Sequence, residues 1–226
     1  MNAPARTRTV APAWPLYLAA FAIAAVVAGA VGEAFSGGSL AELGIPDPGA
    51  ATTVGLPALR GVAWLLMALA TGSFLLSAFL IPPKQTQEDL NGARLTVDGH
   101  LASRTGAHAS AGIALIGLAM IPLVLSDVSG QPLKTVLFEA AAWSQALDQV
   151  ADARVWLIVA VFAAVVAAFA YTATSWWSQV WLFVGAIVVV MPIALTGHSA
   201  TGGAHDFGTN SLIWHLVAML LSLIHI

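Results

Sequence analysis

Residues 154–197 read RVWLIVAVFAAVVAAFAYTATSWWSQVWLFVGAIVVVMPIALTG. Two apolar runs stand there, 154–172 and 179–197, joined by a short polar hinge. A helix that crosses a bilayer needs about 20 mostly apolar residues. Each run comes close to that length, and each lacks Lys and Arg in its middle. The runs are unbroken and do not alternate, so they read as helices and not as barrel strands. Working outward, the same pattern recurs at 14–34, 60–81, 107–125 and from 211 onward. The expectation is an all-α, polytopic membrane helix bundle of about six transmembrane helices.

Composition agrees with that reading. The chain is 59% hydrophobic and 8% charged, against about 45–50% and about 25% in soluble domains. A net charge of -3 is too small to point to nucleic acid. Cysteine is absent, which removes disulfides, thiolate zinc sites, iron–sulfur clusters and cysteine nucleophiles together. A soft metal would have to be held by His and Met.

The first run could be taken for a signal peptide, with Arg6 and Arg8 ahead of it and Ala28-Gly29-Ala30 as a cleavage site. Its apolar length, 14–31, exceeds the usual core of about 7–15 residues, so a retained helix is expected. Basic residues then set the orientation. With a cytoplasmic N-terminus, Arg6, Arg8, Lys84, Arg94 and Arg104 lie inside, and Arg60, Lys134 and Arg154 lie outside. Loops 35–59, 126–153 and 197–210 are then extracytoplasmic. Loop 35–59, rich in Gly and Pro, is expected to be irregular. In loop 126–153, Leu133, Val136, Leu137, Ala140, Leu147 and Val150 recur at helical spacing among polar residues. That pattern fits an amphipathic helix on the outer interface, or a soluble helix that caps the bundle.

Residues 195–215, LTGHSATGGAHDFGTNSLIWH, gather His198, His205 and His215 beside Asp206. Neutral imidazole is the commonest metal ligand and suits copper, zinc, iron and nickel. Gly197, Gly202, Gly203 and Gly208 allow a tight turn, and Asn210 or Ser211 can cap the last helix. On this reading His198 ends the fifth helix, His205 lies in the turn, and His215 sits about one turn into the sixth. Met67, Met120, Met191 and Met219 each fall about six to eight residues, or about 9–12 Å, from the outer end of their helices. Thioether selects Cu(I), so a histidine entrance above a methionine layer suits copper, as Cu(I) or Cu(II). Methionine is also an ordinary core filler.

Other residues take plainer readings. Glu33 reaches toward the headgroups, and His100 and His108 are cytoplasmic and solvated or interfacial. Trp14, Trp64, Trp156, Trp176, Trp177 and Trp181 form an aromatic belt. Pro122 and Pro192 kink the third and fifth helices. No serine or carboxylate constellation reads as a hydrolase, and no phosphate loop is found, so the reading is not that of an enzyme.

The Thr-Gly-His of 196–198, the polar turn, and the Trp-His-Leu of 214–216 that opens a helix resemble the CopD copper-resistance membrane family. GIPDPGAATTVGLP at 44–57 and GHSATGGAHDFGTNSLIWHLVAM at 197–219 are similar to longer bacterial proteins. Those join a CopD-like N-terminal half to a CtaG-type cytochrome c oxidase assembly half. The resemblance implies a multi-pass protein of the bacterial inner membrane that transports or delivers copper. It implies a periplasmic CopC-type copper protein and oxidase assembly factors as partners, with membrane lipid around the bundle. His198 and His215 match the family's histidines. Two other classes stay open: a haem-binding electron-transfer protein with two histidines on one iron, and a metal-free assembly scaffold.

The end of the chain departs from the family. From Ser211 the remaining residues make about 24 Å of helix, against a bilayer core of about 30 Å. The last six residues, LSLIHI at 221–226, match the translation of a transposon-end adapter used in sequencing libraries. The expectation is therefore a membrane domain at 1–220, incomplete at its C-terminus, followed by a non-native tail at 221–226.

Overall fold

The computed structural model describes residues 14–36, 44, 46–84, 93–196 and 205–223. Its helices are α1 (Trp14–Ser36), α2 (Ala50–Thr53), α3 (Gly55–Leu75), α4 (Val97–Ser129), α5 (Leu133–Phe138), α6 (Ala140–Gln149), α7 (Ala151–Thr172), α8 (Trp176–Val190) and α9 (His205–Leu223). A π-helical turn, Leu76–Leu80, extends α3, and a 3-10 turn, Met191–Leu195, extends α8. No strand forms among the described residues; Lys84, Arg94 and Ser175 make isolated bridges.

Five stretches are long and apolar enough to cross a membrane: Trp14–Phe35, Ala50–Leu80, Val97–Ser129, Ala151–Thr172 and Trp176–Ala194. Each overlaps one of the first five runs read from the sequence. The sixth run also forms a helix, α9, but its first two turns, HDFGTN, are polar. The protein is thus an all-α membrane helix bundle. Helices α3, α4, α7 and α8 close a four-membered ring, each touching the next. Helix α1 lies outside the ring against α3, and α9 lies against α3 and the end of α8.

Two helices begin earlier than hydropathy suggested. The chain turns at Gly49, whose φ is 88°, while Asp47 Oδ1 accepts a 2.8 Å hydrogen bond from Gly49 N. Part of the loop expected to be irregular is therefore helical, as α2 and the start of α3. Pro57 falls in the first turn of α3, where backbone N–H groups have no partner to lose. Helix α4 starts at Val97, ten residues before its apolar core. Thr96 caps it by accepting from Gly99 N at 3.2 Å. His100 and His108 consequently sit on α4. Arg104 Nε donates to His100 Nε2 at 3.3 Å, and His108 Nδ1 donates to the Arg104 carbonyl at 2.7 Å. Pro122 is buried within α4, which continues to Ser129. At Pro192 α-helical hydrogen bonding gives way to a 3-10 turn, Met191–Leu195.

Segment 126–153 is not one amphipathic helix. It breaks at Glu139 (φ -102°, ψ 86°) into α5 and α6. Val136 is buried, and Leu133, Trp143, Leu147 and Val150 pack on the core, so the pair caps one end of the bundle. That end, called upper here, carries the N-termini of α3, α7 and α9. The lower end is tied by backbone bonds from Lys84 N to Arg94 O (2.9 Å), Trp176 N to Ala93 O (2.9 Å) and Leu95 N to Thr174 O (3.3 Å).

Lipid removes the hydrophobic drive between helices, so close approach at small residues holds them together. Gly117 of α4 is the tightest case against α7. A Cβ there would stand 2.9 Å from Ala160 Cβ and 3.0 Å from the Trp156 carbonyl oxygen. Backbone cannot swing away as a side-chain tip can. Gly117→Ala is expected to destabilise the bundle by about 1–3 kcal/mol. Gly112→Ala, which meets only the flexible end of Leu66 at 3.1 Å, should cost less. Thermal melts in detergent check this; equal midpoints for the two variants would refute it.

Candidate functional site

The upper end of the ring holds a pocket of about 270 Å³ lined by Arg60, Trp64, Asp152, Val155, Trp156, Ile193 and Thr196. Two helices build it in the same way. Arg60 and Trp64 are four residues apart on α3, and Asp152 and Trp156 are four apart on α7, so each pair shares a helix face. Charges stand at the mouth and indoles one turn below. The 3-10 turn forced by Pro192 brings Ile193 and Thr196 over the third side.

Arg60 Nη2 donates to Asp152 Oδ2 at 2.8 Å, with the two side chains 43% and 35% exposed. Solvent screening at that exposure leaves the ion pair worth about 0–1 kcal/mol, so its value lies in position more than in stability. Asp152 also sits in the first turn of α7, where the helix dipole favours a carboxylate. Asp127 of α4 interacts electrostatically with both Arg60 and Asp152. Asp152 presents the carboxylate that lines the pocket, a group that draws cations. Trp156 is buried and Trp64 half-buried; indole faces attract cations as well.

The expected metal residues are distributed unevenly. Met67 and Met120 are fully buried in the ring, on α3 and α4. Met67 lies on the same face as Arg60 and Trp64, seven residues or about 10 Å below Arg60. Met191 is exposed at the end of α8, and Met219 is half-buried on α9 against the core. His215 is exposed on α9, whose buried contacts are Leu216 and Leu220. His205 opens α9 instead of lying in the turn, so ten residues, about 15 Å of axis, separate it from His215. His198 lies outside the described residues, two positions after Thr196. Among the described residues, no group of three or more His, Asp or Glu side chains stands together as a metal site.

The sequence reading missed Arg60, Asp152, Trp64 and Trp156 as a unit. It took Arg60 for a topology charge and the indoles for a belt. Exposed Trp14, Trp177 and Trp181 suit a belt, whereas buried Trp156 does not. The available signal was the repeated charge-x-x-x-Trp spacing at the upper ends of two spans.

Comparison with known proteins bears on this site. Residues 50–209 match the family model described as copper resistance protein D-like, N-terminal domain. An uncharacterized protein of Mycobacterium bovis is 30% identical over 181 residues, which cover 79% of this chain and 26% of that protein. An uncharacterized protein of Mycobacterium tuberculosis matches to the same extent. The chain therefore spans about a quarter of the length of the curated relatives it matches. No solved structure matches. The family match runs from α2, across the charged mouth and the buried methionines, into the first turn of α9, and on that ground this chain belongs to the copper resistance protein D-like N-terminal domain family.

Proposed function

We propose that this domain carries copper across, or delivers copper within, the bacterial inner membrane, and that copper is received at the upper end of the bundle. The basic-residue count supports an extracytoplasmic placement of that end, with the N-terminus inside. The observation that supports the reading most is the continuity of the pocket. Its wall ends at Thr196, and His198 follows within a chain length of at most about 7 Å. Met67 and Met120 are wholly shielded from the surroundings; Met120 stands level with the pocket, one turn along α4 from Leu123, which faces Gly55, and Met67 lies below it, next to Leu66, which faces Gly112. His198 and His205 would take copper from outside, as a periplasmic CopC-type protein would release it. The Asp152 carboxylate and the indole faces would pass the cation to the thioethers, which favour Cu(I). His215 and Met219, four residues apart on α9, would form a second pair beside this route.

A role in cytochrome c oxidase assembly, through a CtaG-type half of a longer protein, is the further part of the proposal. The length of the mycobacterial relatives supports it. Elemental analysis by mass spectrometry tests the core of the reading. Protein purified in detergent after growth in copper should hold copper at near-stoichiometric level. Iron in its place, or neither metal, would overturn it.

A further inference from the structure

The lower half of the ring contains an unsolved polar problem. Gln179 of α8 is 0% exposed, and neither its Oε1 nor its Nε2 has a hydrogen-bond partner among the described residues. Ser103 of α4 is 1% exposed, and its Oγ is in the same position. Nearby buried hydroxyls are satisfied: Thr71 Oγ1 donates to the Met67 carbonyl at 2.8 Å, and Ser77 Oγ to the Gly99 carbonyl at 2.9 Å. A buried polar group left unpaired costs about 1–3 kcal/mol. A membrane interior supplies no bulk water to relieve it.

The two side chains lie at one depth. Ser77 is bonded to Gly99, and Trp176 Nε1 donates to the Ala78 carbonyl at 2.8 Å, which ties α3 to both α4 and α8 near one level. Ser103 is four residues above Gly99 and Gln179 three above Trp176, so both stand about 4.5–6 Å above that level. The π-helical turn Leu76–Leu80 packs against α4 and α8 there. Such turns widen a helix and are frequent at functional sites. One turn along α4 from Ser103, the ring of Phe74 fills the hollow at Gly106.

We propose that Gln179 and Ser103 form an internal hydration site between α3, α4 and α8. The chemistry selects the ligand. An amide presents both an acceptor and donors. A metal cation would satisfy Oε1 and leave Nε2 unpaired, and hydrocarbon would satisfy neither. Water donates to Oε1 and accepts from Nε2, and a buried water makes about three bonds, which is the number of unpaired atoms at this site. The site is independent of the copper reading.

X-ray radiolysis with mass spectrometry tests it, because radicals formed from trapped water label side chains that bulk radicals cannot reach. Phe74 is 0% exposed and serves as the reporter; Phe138, 85% exposed, serves as the surface standard. In the native protein Phe74 should be labelled readily, and the Gln179→Leu, Ser103→Ala double variant should lower that rate several-fold with Phe138 unchanged. If the double variant does not fold, Ser103→Ala alone, which removes one bonding atom, should still lower it. Phe74 unlabelled in the native protein overturns the proposal, since the two side chains would then be dry. Equal labelling in native and variant protein also overturns it, since the water would be held elsewhere.

Discussion

Cells that carry the His198→Ala, His215→Ala double variant are expected to lose copper-dependent uptake, to at most about a tenth of the native rate. Purified variant protein should hold correspondingly less copper. The fold should survive. His215 is exposed, and substitutions at such positions usually change stability by less than about 0.5 kcal/mol. The single variants then separate two arrangements. With α9 starting at His205, His215 stands about 15 Å along the helix from that start. Two histidines that act at successive points on a route give graded losses, each single variant retaining part of the uptake. Two histidines on one ion give the full loss with either change alone. Native uptake and copper content in the double variant would sink the proposal that either histidine handles copper.

How far the molecule could be read from its sequence depended on the kind of information each feature uses. The spans were legible because lipid demands a long uninterrupted apolar run, and runs such as 154–172 announce themselves within one segment. The lower extension of α4 was not legible. Residues 97–106, VDGHLASRTG, are mostly polar or small, and Gly99, Ala102, Ser103 and Gly106 are buried against neighbouring helices. Hydropathy cannot see that fit. The break at Glu139 was hidden for a related reason: the apolar spacing on either side is consistent with one helix, and only the folded-over contact of Trp143 Nε1 with the Val136 carbonyl, 3.2 Å, shows the return of the chain. The candidate site was half legible. Histidine and methionine declare a metal by their chemistry alone. The mouth does not, because Arg60 and Asp152 are 92 residues apart and meet only when α3 and α7 stand in the same ring.

The replacement of both Met67 and Met120 by leucine is expected to stop copper uptake while leaving the bundle intact. The argument rests on what the two side chains share and what leucine changes. Leucine is close to methionine in volume, and swaps of this type usually cost less than about 1.5 kcal/mol even in a tightly packed interior. Helix packing around α3 and α4 should therefore persist, with a thermal midpoint within a few degrees of native. What disappears is the thioether, the soft donor that holds Cu(I). If Met67 and Met120 are stations on the route through the ring, uptake should fall at least about tenfold with nearly unchanged stability. Met191→Leu supplies the contrast. Met191 has the same chemistry but stands exposed at the end of α8, off the route, so its replacement should leave uptake at the native level. An equal loss from Met191→Leu would mean that position does not distinguish the methionines, and the route through the ring would have to be abandoned. Full uptake in the Met67→Leu, Met120→Leu variant would make these residues core fillers, whose flexible, polarizable side chains suit irregular gaps without any metal.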